Sequence, residues 1–165
     1  MSNRPVIRIK PGRNDILPEL IGWVLLLVTW VISIYGLIIL PDQIAIHFDL
    51  SGNVTRYGDK DTILFLPLIT TALLVGITIL NRYPHFFNYP YPITPLNAER
   101  QYRAATRLLR WLKVLIAALF LIISVAIIRS SFSEESHMPS WFFMFILILF
   151  FFPVIVYFYS AKQQR

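Results

Sequence analysis

Four apolar runs, Leu20–Leu40, Ile63–Leu80, Leu108–Ile128 and Trp141–Tyr159, contain no Asp, Glu or His, and their only basic residues are Arg110 and Lys113 at the start of the third. A helix rises about 1.5 Å per residue, so a run of roughly twenty residues spans the ~30 Å hydrocarbon layer of a bilayer. The chain therefore reads as an all-α integral membrane protein with four transmembrane helices. A composition that is 56% hydrophobic, before glycine is added, points the same way, since soluble domains reach about half with glycine included. The first run is longer than the apolar core of a secretory signal and ends in Leu40-Pro41-Asp42 rather than small residues, so it is expected to be retained as a helix.

Charge sets the expected orientation. Of the 15 basic residues, 12 fall before the first run, between the second and third, at the start of the third, or after the fourth. Only Arg56, Lys60 and Arg129 fall in the other two loops. Basic loops stay on the cytoplasmic side, which places both termini in the cytoplasm and the protein in the cytoplasmic membrane. One membrane domain, 1–165, is expected to divide into a poorly ordered basic tail (1–16), a first span (17–40), an outer loop (41–61), a second span (62–81), a cytoplasmic Pro/Tyr-rich segment with a basic helix (82–107), a third span (108–128), an outer loop (129–140), a fourth span (141–160) and a short tail (161–165). No basic stripe with interleaved aromatics lies outside a membrane flank, so no nucleic acid is expected as a partner. With no cysteine, thiolate chemistry and Cys-ligated metals are excluded.

Within the spans, Pro67 should kink the second helix and Pro153 the fourth. Ala72-x-x-x-Gly76 offers a small-residue ledge for close helix approach, and Thr29, Ser33, Thr70, Thr71, Thr78 and Ser124 offer hydroxyls for bonds across helices at about 0.6 kcal/mol each. Thr94 reads as the cap of a long helix with Pro95 at its first position. On that helix Arg100, Arg103, Arg107 and Arg110 recur at spacings of three, four and three and share a face. That face is expected to meet anionic headgroups, with docking of an acidic cytoplasmic partner as the alternative.

The first outer loop is the most informative polar stretch. In Gln43-Ile44-Ala45-Ile46-His47-Phe48-Asp49-Leu50 apolar residues alternate, as in a strand with one greasy face (Ile44, Ile46, Phe48, Leu50) and one polar face (Gln43, His47, Asp49). Ser51-Gly52-Asn53 signals a turn, Val54–Tyr57 can return as a second strand, Gly58 ends it, and Asp59 or Asp61 can cap the second span. A small β-hairpin on the outer helix ends is expected. The string Leu40-Pro41-Asp42-Gln43-Ile44, followed by His47-Phe48, Gly52, Tyr57-Gly58 and Lys60, resembles the signature of a bacterial membrane domain of unknown function. The same domain forms the N-terminal part of an immunity and signalling protein that protects spore-forming bacteria from a sporulation-delaying toxin. Phe87-Asn88-Tyr89-Pro90, Asn97–Tyr102 and Leu108–Lys113 resemble small standalone members of that family. The chain departs from the pattern at Ala45, Asp49 and Asp59, where members often carry Pro, Asn and Ser. The resemblance implies a non-catalytic recognition or immunity-like role.

His47, Asp49, Gly52, Tyr57, Gly58 and Lys60 are accordingly the candidate ligand-binding residues, for an external ligand or peptide. A purely structural role for His47 is the alternative, and His47 with Asp49 could also suit a divalent ion. No metal or cofactor is expected. No activated nucleophile or phosphate-cradling loop is evident, so catalysis is not expected. A small-solute transporter or transport subunit is the alternative function, although the middles of the spans carry no ionisable group.

Overall fold

The computed structural model describes residues 4–49, 51–132 and 141–163. The elements are α1 (Arg13–Ile39), a hairpin of β1 (Gln43–Phe48) and β2 (Val54–Asp59), a 3-10 turn (Lys60–Leu64), α2 (Phe65–Leu80), a second 3-10 turn (Pro84–Phe86), α3 (Ala98–Ser130) and α4 (Trp141–Gln163). α3 packs on α1, α2 and α4, so it is the central post. Among the described residues, α1, α3 and the 21-residue stretch Lys60–Leu80 are long and apolar enough to cross a membrane. Leu50, most of the loop 129–140 with its His137, and the last residues of the C-terminal tail lie outside the described residues.

The inside of the bundle is small and polar, and the outside is large and apolar. On α1 the buried positions are Asp15, Pro18, Gly22, Leu26, Thr29, Ser33 and Gly36, spaced by three or four and so forming one stripe. The opposite face exposes Leu27, Val31 and, at 76%, Ile38. In water such a surface would be far beyond the patch size that monomers tolerate, whereas lipid solvates it at no cost. Without a hydrophobic force between helices, close backbone approach supplies the packing. At Gly22 an added Cβ would lie 3.7 Å from the Cβ of Lys113 and 3.8 Å from the backbone nitrogen of Val114 on α3. The expected ledge at Ala72 and Gly76 is exposed instead, with nothing within 4 Å of Gly76.

Buried hydroxyls mostly turn back on their own helices rather than across to neighbours. Thr29 donates to the Leu25 carbonyl (2.8 Å), Thr70 to Leu66 (2.7 Å), Thr78 to Leu74 (2.7 Å) and Ser124 to Phe120 (2.8 Å). An i−4 carbonyl is always within reach on a helix, while a partner on another helix demands a particular rotation. Thr71 donates back to Pro67 (2.7 Å) and also receives a bond across helices from Trp30 Nε1 at 3.1 Å, as Thr78 does from Lys113 at 2.7 Å.

Prolines and caps shift several expected boundaries. Pro67 falls in the first turn of α2, where a missing N–H has no intrahelical acceptor, so the anticipated kink is replaced by a helix start. α1 begins at Arg13, four residues ahead of expectation, because Asp15 accepts the Gly12 N–H at 2.8 Å and satisfies an orphan donor. α3 begins at Ala98 rather than near Pro95: the Asn97 side chain accepts the Thr94 N–H at 2.9 Å and holds a turn ahead of the helix. The 33 residues of α3 make it about 50 Å long. The basic tail is pinned from Arg4 onward, not loose. Arg4 donates to the carbonyls of Phe87 (2.6 Å) and His85 (3.3 Å) and lies 5.7 Å from the Tyr89 ring centre. Tyr102 donates to the Pro5 carbonyl at 3.1 Å.

Candidate functional site

The two ends of the bundle carry different chemistry. At one end, the hairpin joins α1 to the turn before α2. Ile44 and Ala45 are buried, and Ile44 packs with Leu40, Ile63 and Ile127. The pairing runs Gln43↔Asp59, Ile44↔Gly58, Ala45↔Tyr57, His47↔Arg56 and Phe48↔Val54, so Ile46 and His47 together oppose Arg56. The bulge leaves the expected greasy face in place: Ile44, Ile46 and Phe48 all pack on the same cluster. Ala45 is buried as well, while Gln43 and His47 stay exposed. Gly58 makes room for the bulge: a Cβ there would fall 2.7 Å from Ile46 Cδ1.

The candidate ligand residues divide by what they touch. Asp49 organises the turn. Its Oδ1 accepts the Asn53 N–H at 2.8 Å and its Oδ2 the Asn53 side-chain amide at 3.1 Å, bonds that favour the ionised form and hold its carboxyl below the usual range. Gly52 follows with φ of 87°, the left-handed region. Lys60 donates to Asp42 at 3.0 Å, and Gln43 donates to Asp59 at 2.5 Å. Asp59 thus holds Gln43 across the strands rather than capping the helix with its side chain. His47, Arg56 and Tyr57 remain exposed, Tyr57 by 60%. The structure therefore brings Asp49, Gly52, Gly58 and Lys60 into the hairpin's framework and leaves His47 and Tyr57 on its open surface. Among the described residues no three His, Asp or Glu side chains come together to hold a metal ion.

At the other end, the arginine face of α3 meets two carboxylates of α1. Arg107 Nε donates to Asp15 Oδ1 at 2.9 Å, with Arg103 and Arg110 at 4.0 and 3.9 Å from the same carboxylate. Arg103 also bridges Glu99 at 2.9 Å. Lys113, fully buried, donates to Glu19 and, at 2.7 Å, to Thr78, with its ammonium 5.0 Å from the Trp23 ring centre. Arg103, Arg107 and Arg110 are thus tied to α1, with Arg103 and Arg107 still partly exposed and Arg100 exposed. Asp15 and Glu19 escape a reading that counts only apolar runs. Their spacing of four, matched to basic residues at helical spacing on α3, is the signal that could have found them.

Beside this network lies a cavity of about 860 Å³ between the extended segment 6–11, the first turns of α1, the end of α2 and the link 81–85.

Residues 24–71, from α1 through the hairpin into α2, match the model of a domain of unknown function, DUF1648. The chain is also similar to an uncharacterised protein of Archaeoglobus fulgidus, 26% identical over 133 residues and covering 72% of each chain. No solved structure matches it. The matched domain is centred on the hairpin and the helix ends that carry it.

Proposed function

We propose that this protein is a non-catalytic recognition module of the cytoplasmic membrane, crossing it four times with both termini inside, and that the hairpin is its outer recognition surface. The fourth crossing is α4, a 23-residue helix about 35 Å long whose stretch Phe150–Tyr159 is apolar. The concentration of cations at the opposite end supports this orientation.

One observation carries the reading: the hairpin has a sealed half and a bare half. Ile44 and Ala45 anchor it to the helix ends, so the strands cannot swing freely, while His47, Arg56 and Tyr57 remain exposed. No third strand pairs with β2 among the described residues, so its backbone edge can take an extended peptide as an added strand. Occupation of that edge by a toxic peptide would be the immunity-like form of the same activity. Transport has weaker support, because Leu26, Leu74 and Ala117 fill the middle of the bundle with an apolar, buried cluster between the hairpin and the cavity.

Two experiments test the reading. Single cysteines at Ser51 and Ser2 should react with an impermeant maleimide on intact cells only at Ser51; labelling of Ser2 alone would reverse the orientation. A photo-crosslinking residue at Thr55, exposed on β2, should give adducts of discrete mass on intact cells that vanish with His47→Ala or Tyr57→Ala. Adducts indifferent to both substitutions, or none at all, would overturn the outer surface as the site of recognition.

A further inference from the structure

The cavity at the cationic end lacks an explanation in the hairpin's chemistry. Its wall includes Asn81 and Arg110, and both are incompletely satisfied. The Asn81 amide has neither its nitrogen nor its oxygen hydrogen-bonded, although both atoms are buried. Arg110 is more than nine-tenths buried, yet its Nη1 finds no hydrogen-bond acceptor, since the carboxylates of Asp15 and Glu19 stand off at 3.9 and 3.8 Å from its nitrogens. Those two carboxylates are instead engaged by Arg107 and Lys113 from the α3 side. Two further cations, Arg8 and Arg82, line the cavity from its exposed rim and form no salt bridge among the described residues. Buried donors without acceptors and rim cations without counter-ions together call for an anion with several oxygens. The remaining wall is greasy: Leu20 and Trp23 belong both to the cavity and to the exposed apolar side of α1. A ligand seated there has its polar part among Arg8, Arg82 and Arg110 and an apolar path leading out along α1.

We propose that the cavity binds the phosphate group of an anionic phospholipid from the surrounding leaflet, with Arg110 and the Asn81 amide donating to phosphate oxygens, Arg8 and Arg82 screening its charge, and a chain lying on Leu20 and Trp23. This site is independent of the hairpin and would persist if the outer surface bound nothing.

The test uses the full chain in a neutral detergent, analysed by native mass spectrometry after addition of phosphatidylglycerol, phosphatidylcholine or inorganic phosphate. One phosphatidylglycerol per chain should be retained in preference to phosphatidylcholine. Arg8→Gln and Arg82→Gln should each weaken retention about fivefold, the effect of one basic residue near a charged surface. Both side chains lie at the exposed rim, so neither substitution should impair folding. Asn81→Leu should weaken retention of phosphatidylglycerol while leaving α-helical content unchanged. Equal retention of the two lipids, or retention unaffected by all three substitutions, would overturn the proposal. Competition by millimolar inorganic phosphate as effective as that by phosphatidylglycerol would also overturn it, by assigning the site to a soluble phosphate.

Discussion

Lys113 on α3 is fully buried and donates to the carboxylate of Glu19 on α1, a residue 94 positions away in the chain. The carboxylate offsets the cost of burying the ammonium, while itself staying partly exposed. Breaking such a pair from one side leaves a buried charge without compensation, at about 3–5 kcal/mol. Glu19→Gln, which strands the fully buried ammonium, should therefore lower the melting temperature of the detergent-solubilised protein sharply, and Lys113→Met less so because the carboxylate it leaves behind is 31% exposed. The double variant should recover most of the loss, since no charge is then stranded. Additive losses would show that the two side chains do not act as a pair.

Ile44 and His47 lie three residues apart on one strand but on opposite sides of the stability question. Ile44→Ala opens a cavity beside Leu40, Ile63 and Ile127 and should cost about 2–5 kcal/mol. His47→Ala changes an exposed site and should stay within roughly 0.5 kcal/mol. Chemical denaturation in detergent measures both. A large loss for His47→Ala would place that ring in the framework rather than on the open surface.

Gly58 and Gly52 are needed for different reasons. Gly58→Ala pushes the Ile46 δ-methyl aside from a 2.7 Å contact and should cost about 1 kcal/mol as mild overpacking. Gly52→Ala places a side chain at φ of 87° and should cost about 1–2 kcal/mol. Amide hydrogen exchange should quicken across β1 and β2 in both variants while α1 and α3 keep their protection. Unchanged exchange in the hairpin would argue against the bulged register.

The turn at Asp49 should respond to acid. The bonds from Asn53 hold its carboxyl below the ordinary aspartate value of 3.8 in the folded state, so the stabilisation is complete above that value and disappears as pH falls through the lowered one. The Asn53 amide should thus exchange at a protected rate near pH 5 and progressively lose that protection below about 3.8. Asp49→Asn should abolish the pH dependence. A protection factor that is flat through this range in the native protein would contradict the assigned hydrogen bonds.

What the residues alone determined was the solvent and the outline. Apolar runs of about twenty residues declare helices in lipid because transfer free energy sums along a segment without reference to the rest of the chain. The glycines and alternating residues of 43–58 likewise announce a hairpin, because turn chemistry and strand pairing between neighbours are local. Tertiary structure decided everything that depends on how each helix is rotated about its axis and where each strand slips. The bulge at Ile46 and the burial of Ala45 are set by the helix ends beneath the strand, where Ile44 meets Ile63 and Ile127. The arginines of α3 read equally well as a lipid-facing stripe until Gly22 lets α1 approach closely enough for Asp15 and Glu19 to take Arg107 and Lys113. Charge on a helix face is visible in one dimension, but its partner is chosen by packing between residues more than ninety positions apart.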